Sequence, residues 1–293
     1  MKFNIIAKTR LWFTISMLFM LLGLFALASN WLIKGKAMNF GVDFTGGTTL
    51  HLRFDNLVQL AEVRTILAKY GLGESVIQRT EGNDIIINTD PLSTEARTQI
   101  MSDIQTKYPS VLLLEADTIG PVVGRELRSQ AFWALLLATA GILIYVAFRF
   151  EFKYSVAAVL ALVHDATITV GLIALMWRVV DTPFIAAILT ILGYSITDTI
   201  VIYDRVRENM TKPGASKKPF ADVVNESVNQ TMARSINTVL TVLFMNLSLL
   251  IFGGVTIKEF ALTLFIGFTC GAYSSIFVAS PLIVIFDKWE RGR

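Results

Sequence analysis

The chain has 293 residues, 54% of them hydrophobic and 17% charged, with a formal net charge of +3 and a mean hydropathy of +0.58. That balance excludes a soluble globular domain as the whole molecule and places most of the chain in lipid. The basic residues are spread over separate segments rather than gathered in one stripe, which excludes nucleic acid as a partner, and the single Cys270 excludes an intrachain disulfide or a cysteine metal cluster.

A helix needs roughly 20 apolar residues to cross the hydrocarbon core, because its backbone amides must be satisfied within the segment. The first stretch to meet that standard is 11–33, preceded by Lys8 and Arg10. A cleaved leader is the rival reading, since Lys2 also precedes the run and Ala26-Leu27-Ala28 resembles a cleavage site. The run exceeds a leader's apolar region of roughly 7–15 residues and continues through Trp31-Leu32-Ile33, so a retained span is expected.

Residues 34–128 form a polar insert. Gly41, Gly46 and Gly47 bound an alternating stretch, Thr48 to Phe54, that predicts a strand. Leu57, Leu60, Val63, Ile66 and Leu67 recur at helical spacing until Gly71 and Gly73 stop the run. Two strands at 75–79 and 84–88, joined by Glu81-Gly82-Asn83, come next. A helix over 94–108, capped by Ser93 and ended by Pro109, precedes a last strand at 111–114. The order β-α-β-β-α-β is the split ferredoxin-like unit, so the fold class expected is a six-helix polytopic membrane protein with an inserted external α+β domain. The insert has no paired carboxylates, no Ser/His constellation and no metal spacing, which argues against an enzyme, and His51 reads as a strand-surface residue.

Spans two to four follow at 132–148, 156–177 and 184–203. Ionisable groups inside a span cost about 2.5 to 3.5 kcal/mol even on the lenient insertion scale, so each needs a reason. The third span carries His164-Asp165 and the fourth carries Asp198. Asp198 shares a helix face with Tyr194, Ser195, Ile202 and Arg205. It reads either as a protonatable carboxylate on a bundle-facing stripe or as a structural hydrogen bond between helices. Asp165 has the same two readings, and His164 is either a packed, hydrogen-bonded imidazole or a relay.

The segment 206–234 opens after the fourth span with Lys212-Pro213-Gly214. Its Phe220, Val223, Val224, Ser227, Val228 and Thr231 predict an interfacial helix. The fifth span, 236–252, places Arg234, Thr238 and Thr241 on one stripe with Asn246 deeper; Arg234 either snorkels to the headgroups or pairs with a neighbouring carboxylate. Gly253-Gly254 makes a short turn into the sixth span, 260–286, which Pro281 interrupts. Gly267 and Gly271 there form a G-x-x-x-G, continued by Ser274 and Ser275, that marks close helix packing.

Orientation follows from the basic clusters. Lys2, Lys8 and Arg10, then Arg149 and Lys153, then Arg205, Arg207, Lys212, Lys217 and Lys218, then Lys288, Arg291 and Arg293 all fall on one side, which predicts cytoplasmic termini. The expected organisation is 1–10 cytoplasmic, 11–33 first span, 34–128 external domain, 129–205 spans two to four, 206–234 cytoplasmic loop, and 235–293 spans five and six with the tail.

Three strings carry a resemblance over essentially the whole chain: Gly41-Val42-Asp43-Phe44-Thr45-Gly46-Gly47, Ile119-Gly120-Pro121-Val122-Val123-Gly124, and Gly193-Tyr194-Ser195-Ile196-Thr197-Asp198-Thr199 running on to Asn209. With the span count they resemble the SecF type of the SecD/SecF family of protein-export membrane proteins, in the resistance-nodulation-division superfamily. The resemblance implies an accessory subunit of the bacterial inner membrane that uses a proton or sodium gradient to drive preprotein translocation through the SecYEG channel. It implies SecD as the partner supplying six more spans and the other coupling aspartate, with unfolded preprotein and the lipid bilayer as further partners. Asp198 matches the family's coupling aspartate and Arg234 its arginine in the following span; Thr197 departs from the asparagine often found there. The expected site is therefore Asp198, Arg234 and Asp165 for ion coupling, with Tyr194, Ser195, Thr197, Gly267 and Gly271 supporting helix packing, and no catalytic residue, metal or cofactor. A lipid or drug exporter of the same superfamily, and a passive scaffold of the translocon, are the alternatives.

Overall fold

The computed structural model describes residues 3–80, 82–214 and 218–292. Of the residues used above, Lys2, Glu81, Lys217 and Arg293 lie outside the described residues. In chain order the first half comprises α1 (Thr9–Lys34), β1 (Asn39–Phe40), α2 (Val42–Thr45), β2 (Gly47–Arg53), α3 (Leu60–Ala68), β3 (Val76–Arg79), β4 (Asp84–Thr89), α4 (Thr94–Lys107) and β5 (Leu112–Ile119). There follow α5 (Pro121–Arg149), α6 (Phe152–Leu175), β6 (Val179–Val180), α7 (Thr182–Met210), α8 (Phe220–Phe252), α9 (Val255–Ser274), a π-helical turn (Ser275–Ala279) and α10 (Ser280–Arg291). These fall into two compact units, one helical and one made of Phe40–Trp133 with Val179–Thr182.

Six helical stretches of the chain are long and apolar enough to cross a membrane, as the hydrophobic runs predict. Burial divides them. In the most apolar window of the sixth stretch 61% of residues are buried, against 6% in the second. The third, fourth and sixth stretches thus make the centre, and α1, α5 and α8 lie outside it with apolar side chains such as Leu18, Phe25, Leu137 and Phe244 exposed. α1 reaches α6 through two glycines: a Cβ on Gly23 would stand 2.9 Å from the Cα of Gly171.

One expectation about these helices is corrected. The segment 220–234 is no separate interfacial helix; it forms the first turns of α8, which runs unbroken for 33 residues. No proline or glycine stands between Phe220 and Phe252, so the backbone continues although the composition changes. Its apolar face packs on protein: Phe220, Val223, Val224 and Val228 are buried, and Asn225 and Asn229 accept from the Ile5 and Phe3 amides, both at 2.8 Å. The sixth span, in turn, is interrupted before Pro281 by the π turn. Proline cannot supply the amide that a regular helix needs there, and the Ser280 hydroxyl donates to the Ser275 carbonyl at 2.8 Å.

The second unit holds a four-stranded antiparallel sheet in the order β3-β4-β2-β5, the ferredoxin-like arrangement. Alternation along β2 sends Leu50 and Leu52 to one side, where they meet Ile85 and Ile87 of β4, Val63 and Leu67 of α3, and Ile100 and Ile104 of α4. Ser93 caps α4 by accepting from the Ala96 amide at 3.2 Å. β5 is longer than the strand predicted from 111–114, and it lies at the sheet edge with Leu112, Leu113 and Leu114 exposed.

Gly46 and Gly47 take φ of 74° and 141°, conformations that a side chain resists, and this lets the chain turn from α2 straight into β2. His51 is not a strand-surface residue: it is buried 3.4 Å from Asp84, whose carboxylate receives two 2.9 Å hydrogen bonds from Arg53. The unit also takes in Val179–Thr182. The Gly41 amide donates to the Val180 carbonyl at 2.9 Å and the Thr182 amide to Asp43 at 2.9 Å.

Candidate functional site

Two carboxylates stand on neighbouring central helices. Asp165, on α6, has no exposed surface. The Ser195 hydroxyl of α7 donates to its Oδ2 at 2.6 Å and the Ser274 hydroxyl of α9 at 2.8 Å, while His164 Nδ1 lies 3.0 Å from Oδ1. One side chain thus ties three helices together. Small residues make this possible. A Cβ on Gly271 would stand 3.0 Å from that of Ser195, and one on Gly267 would run into Ile191, so α9 comes close enough for serine hydroxyls to reach across. The polar seam continues with Thr199 and Ser275, whose hydroxyls are 2.8 Å apart, and with Tyr203, whose hydroxyl donates to the Ala279 carbonyl at 3.3 Å. His164 also stacks on Tyr273, with ring centroids 6.2 Å apart.

Asp198 faces elsewhere. Its Oδ1 accepts from the Ser235 hydroxyl of α8 at 2.6 Å, and its buried Oδ2 has no hydrogen-bond partner among the described residues. The Tyr194 hydroxyl, one turn earlier, is likewise buried without a partner there, and the Tyr194 ring packs on Phe268 with centroids 4.5 Å apart. Arg234 is exposed and makes no ion pair with Asp198 within 4 Å, although its charge acts on that carboxylate. Its neighbour Ser235 turns inward instead, because adjacent residues on a helix point about 100° apart. Thr197 is exposed and its hydroxyl bonds back to the Gly193 carbonyl at 2.9 Å.

Ser195, expected to support helix packing and standing near the face of Asp198, hydrogen-bonds to Asp165 and not to Asp198. Residues three apart still differ by about 60° around the helix, enough to address different neighbours. Sequence reasoning missed Ser235 as a donor and noted Ser274 only as a packing residue; a hydroxyl amid apolar residues was the one signal each offered. The arrangement can hold one carboxylate in a closed hydrogen-bonded cage and present another with one oxygen uncommitted. Among the described residues no three His, Cys, Asp or Glu side chains come together as a metal site.

Residues 99–289 match the family described as protein export membrane protein SecD/SecF, C-terminal, and residues 35–56 match the SecD/SecF GG motif. The protein translocase subunit SecF of Sebaldella termitidis is 42% identical over 290 residues, which is 97% of this chain and 92% of that protein. The protein translocase subunit SecDF of Thermus thermophilus is 38% identical over 275 residues, covering 92% of this chain but 36% of that one. The crystal structure of SecDF from Thermus superposes with a TM-score of 0.88 at 38% identity, over 98% of this chain and 39% of the other.

Proposed function

The chain belongs to the SecD/SecF family of protein-export membrane proteins, and we propose that it is the SecF-type subunit that works with SecD to couple an ion gradient to preprotein movement through SecYEG. The observation that carries this is the state of Asp198. A half-buried carboxylate with one uncommitted oxygen lies beside a stripe of exposed polar groups, Thr197, Arg234, Asn237 and Thr238, within helices otherwise covered by apolar side chains. Lipid accepts such a stripe poorly, whereas a second bundle with polar groups of its own would bury it. The relative that joins SecD and SecF in one chain supports SecD as that second bundle.

Protonating Asp198 removes the charge that Ser235 and any partner group respond to, so the two protonation states favour different helix packings. One charge crossing 100 mV supplies about 2.3 kcal/mol, enough to bias a two-state bundle. Asp165, enclosed by α6, α7 and α9, suits a second coupling role, transmitting a shift of α7 to α9. In this reading the chain is a non-enzymatic subunit in the bacterial inner membrane, with its termini cytoplasmic and residues 34–128 outside, where they meet the unfolded preprotein.

The test is preprotein translocation into vesicles with and without a proton or sodium gradient, comparing the chain plus SecD with its Asp198→Asn form. The substitution should leave assembly intact and abolish the gradient-dependent part. Wild-type stimulation in Asp198→Asn would leave only a scaffold.

A further inference from the structure

At the end of the helical unit where α5 turns into α6 and α7 stops, a cavity of about 400 Å³ opens among Arg149, Lys153, Tyr154, Arg207 and Phe220. That volume lies within the range of small-ligand sites, roughly 300–1,000 Å³. Its cations differ in what they already hold. Lys153 is matched by Glu151 at 3.1 Å, Asp287 at 3.2 Å and Glu290 at 3.4 Å, and Arg149 by Asp204 at 2.8 Å. Arg207 is exposed and makes no hydrogen bond or ion pair through its side chain among the described residues. Arg207 is thus the one cation of this lining without a carboxylate partner among the described residues.

The walls are aromatic. Lys153 lies over the rings of Tyr154 and Phe220, at 5.9 and 5.6 Å, and Phe150 packs against Tyr154 and Tyr203 at 6.0 Å each. The lining also includes Phe148, which is 90% exposed, and Phe152, four residues further on across the α5–α6 turn, is 80% exposed. Apolar surface of that kind just inside a ring of charges is what the boundary between acyl chains and headgroups presents.

We propose that this cavity binds the headgroup of a glycerophospholipid, its phosphodiester on Arg207 and its acyl chains along Phe148 and Phe152. One negative charge answers the one unmatched cation, and the planar guanidinium fork suits two phosphate oxygens at once. Pockets of basic residues between helices at this level hold lipid headgroups by the same chemistry. Free phosphate would use the guanidinium but not the exposed phenylalanines, and so the occupant is a lipid.

Native mass spectrometry of the full chain, purified in mild detergent, tests this. Wild type should retain one phospholipid under washing that strips the rest, and Arg207→Gln should lower the retained fraction by about tenfold. Arg207→Lys should fall between them, and Arg10→Gln, an exposed cation elsewhere, should match wild type. After complete delipidation, added phosphatidylglycerol should restore the adduct, diacylglycerol should not, and sn-glycerol 3-phosphate should fail to displace the lipid. Equal retention in Arg207→Gln, equal loss in Arg10→Gln, binding of diacylglycerol as tight as that of phosphatidylglycerol, or displacement by glycerol phosphate would each overturn the assignment. Because Arg207 is exposed, the variant should unfold thermally with wild type, which separates lost lipid from lost fold.

Discussion

Ser195 donates its hydroxyl to Asp165 at 2.6 Å, although it stands three residues before Asp198 on the same helix. α7 therefore serves two carboxylates at once. Through Ser195 it is tied to α6 and, by way of Asp165 and Ser274, to α9; through Asp198 and Ser235 it meets α8. Asp165 is caged by three side chains while Asp198 keeps one buried oxygen without a partner among the described residues. That asymmetry separates a group that holds the bundle from a group that can change state.

Stability should divide between them accordingly. Asp165→Ala leaves the Ser195 hydroxyl without its acceptor in a closed site, and each such buried group costs about 1–3 kcal/mol. Asp165→Asn keeps one acceptor oxygen and should lose less. Asp198→Asn should unfold within about 0.5 kcal/mol of wild type. Thermal unfolding of the full chain in detergent ranks the three, and an Asp198→Asn loss as large as that of Asp165→Ala would refute the division.

Ser235→Ala keeps Asp198 but removes its one hydrogen-bond donor among the described residues. Bonds to charged groups are worth about 1.5–3 kcal/mol, so the gradient-driven part of translocation should drop by about tenfold or more. Ser248, on the same helix, bonds among the described residues only to the Phe244 carbonyl one turn back, at 3.0 Å, and Ser248→Ala should behave as wild type. Equal behaviour of the two variants would show that Ser235 merely packs.

Arg234 makes no ion pair here, and so Arg234→Gln should leave the isolated chain within about 0.5 kcal/mol of wild type. With SecD present the same change should lower translocation, and Arg234→Lys should be partly tolerated, because lysine keeps the charge without the planar fork. Destabilisation of the chain alone would place the arginine's role within this bundle instead.

Much of this architecture is legible in the sequence, for identifiable reasons. Six long apolar runs are recognisable because lipid forces each span to satisfy its own backbone, and the ferredoxin-like order emerges because both periodicities, two and 3.6, are clean between Thr48 and Lys107. The pairing of β1 with β6 left no signal, since two-residue strands are too short to show alternation. That Ser195 reaches Asp165 was not legible for another reason. Which neighbour a helical side chain meets depends on how the helix is rotated in the bundle, and here glycines at 267 and 271 on a different helix set that approach. The buried His51 escaped notice because its neighbour Asp84 is 33 positions away and is brought alongside only by the β2–β4 register.

The edge strand β5 exposes three consecutive leucines where its register with β2 shifts, and an apolar sheet edge of this kind is suited to being covered by a partner. In the proposed assembly that cover is SecD. Leu113→Lys should weaken co-purification with SecD while leaving the fold of the isolated chain within about 0.5 kcal/mol of wild type. Undiminished co-purification would leave the strand to another partner.

The last prediction concerns pH and the sheet-bearing unit. Two hydrogen bonds from Arg53 hold the Asp84 carboxyl below the ordinary carboxylate range, and Glu62 is held low in the same sense by Lys107 and then by Tyr108. A carboxyl whose folded value is depressed stabilises the fold fully above its unfolded value, about 3.9 for aspartate, and that share is lost as pH falls through the folded value. Within this acid window the unfolded chain binds more protons, so stability falls as pH drops. Asp84→Asn removes one of the two groups and should flatten the decline without abolishing it. Amide-exchange protection of β2 and β4 in the full chain, corrected for the intrinsic pH dependence of exchange, reports the effect at the strands the pair joins. Wild-type protection that declines below about pH 4 no more steeply than that of Asp84→Asn would mean that the Arg53 pair contributes nothing to the fold.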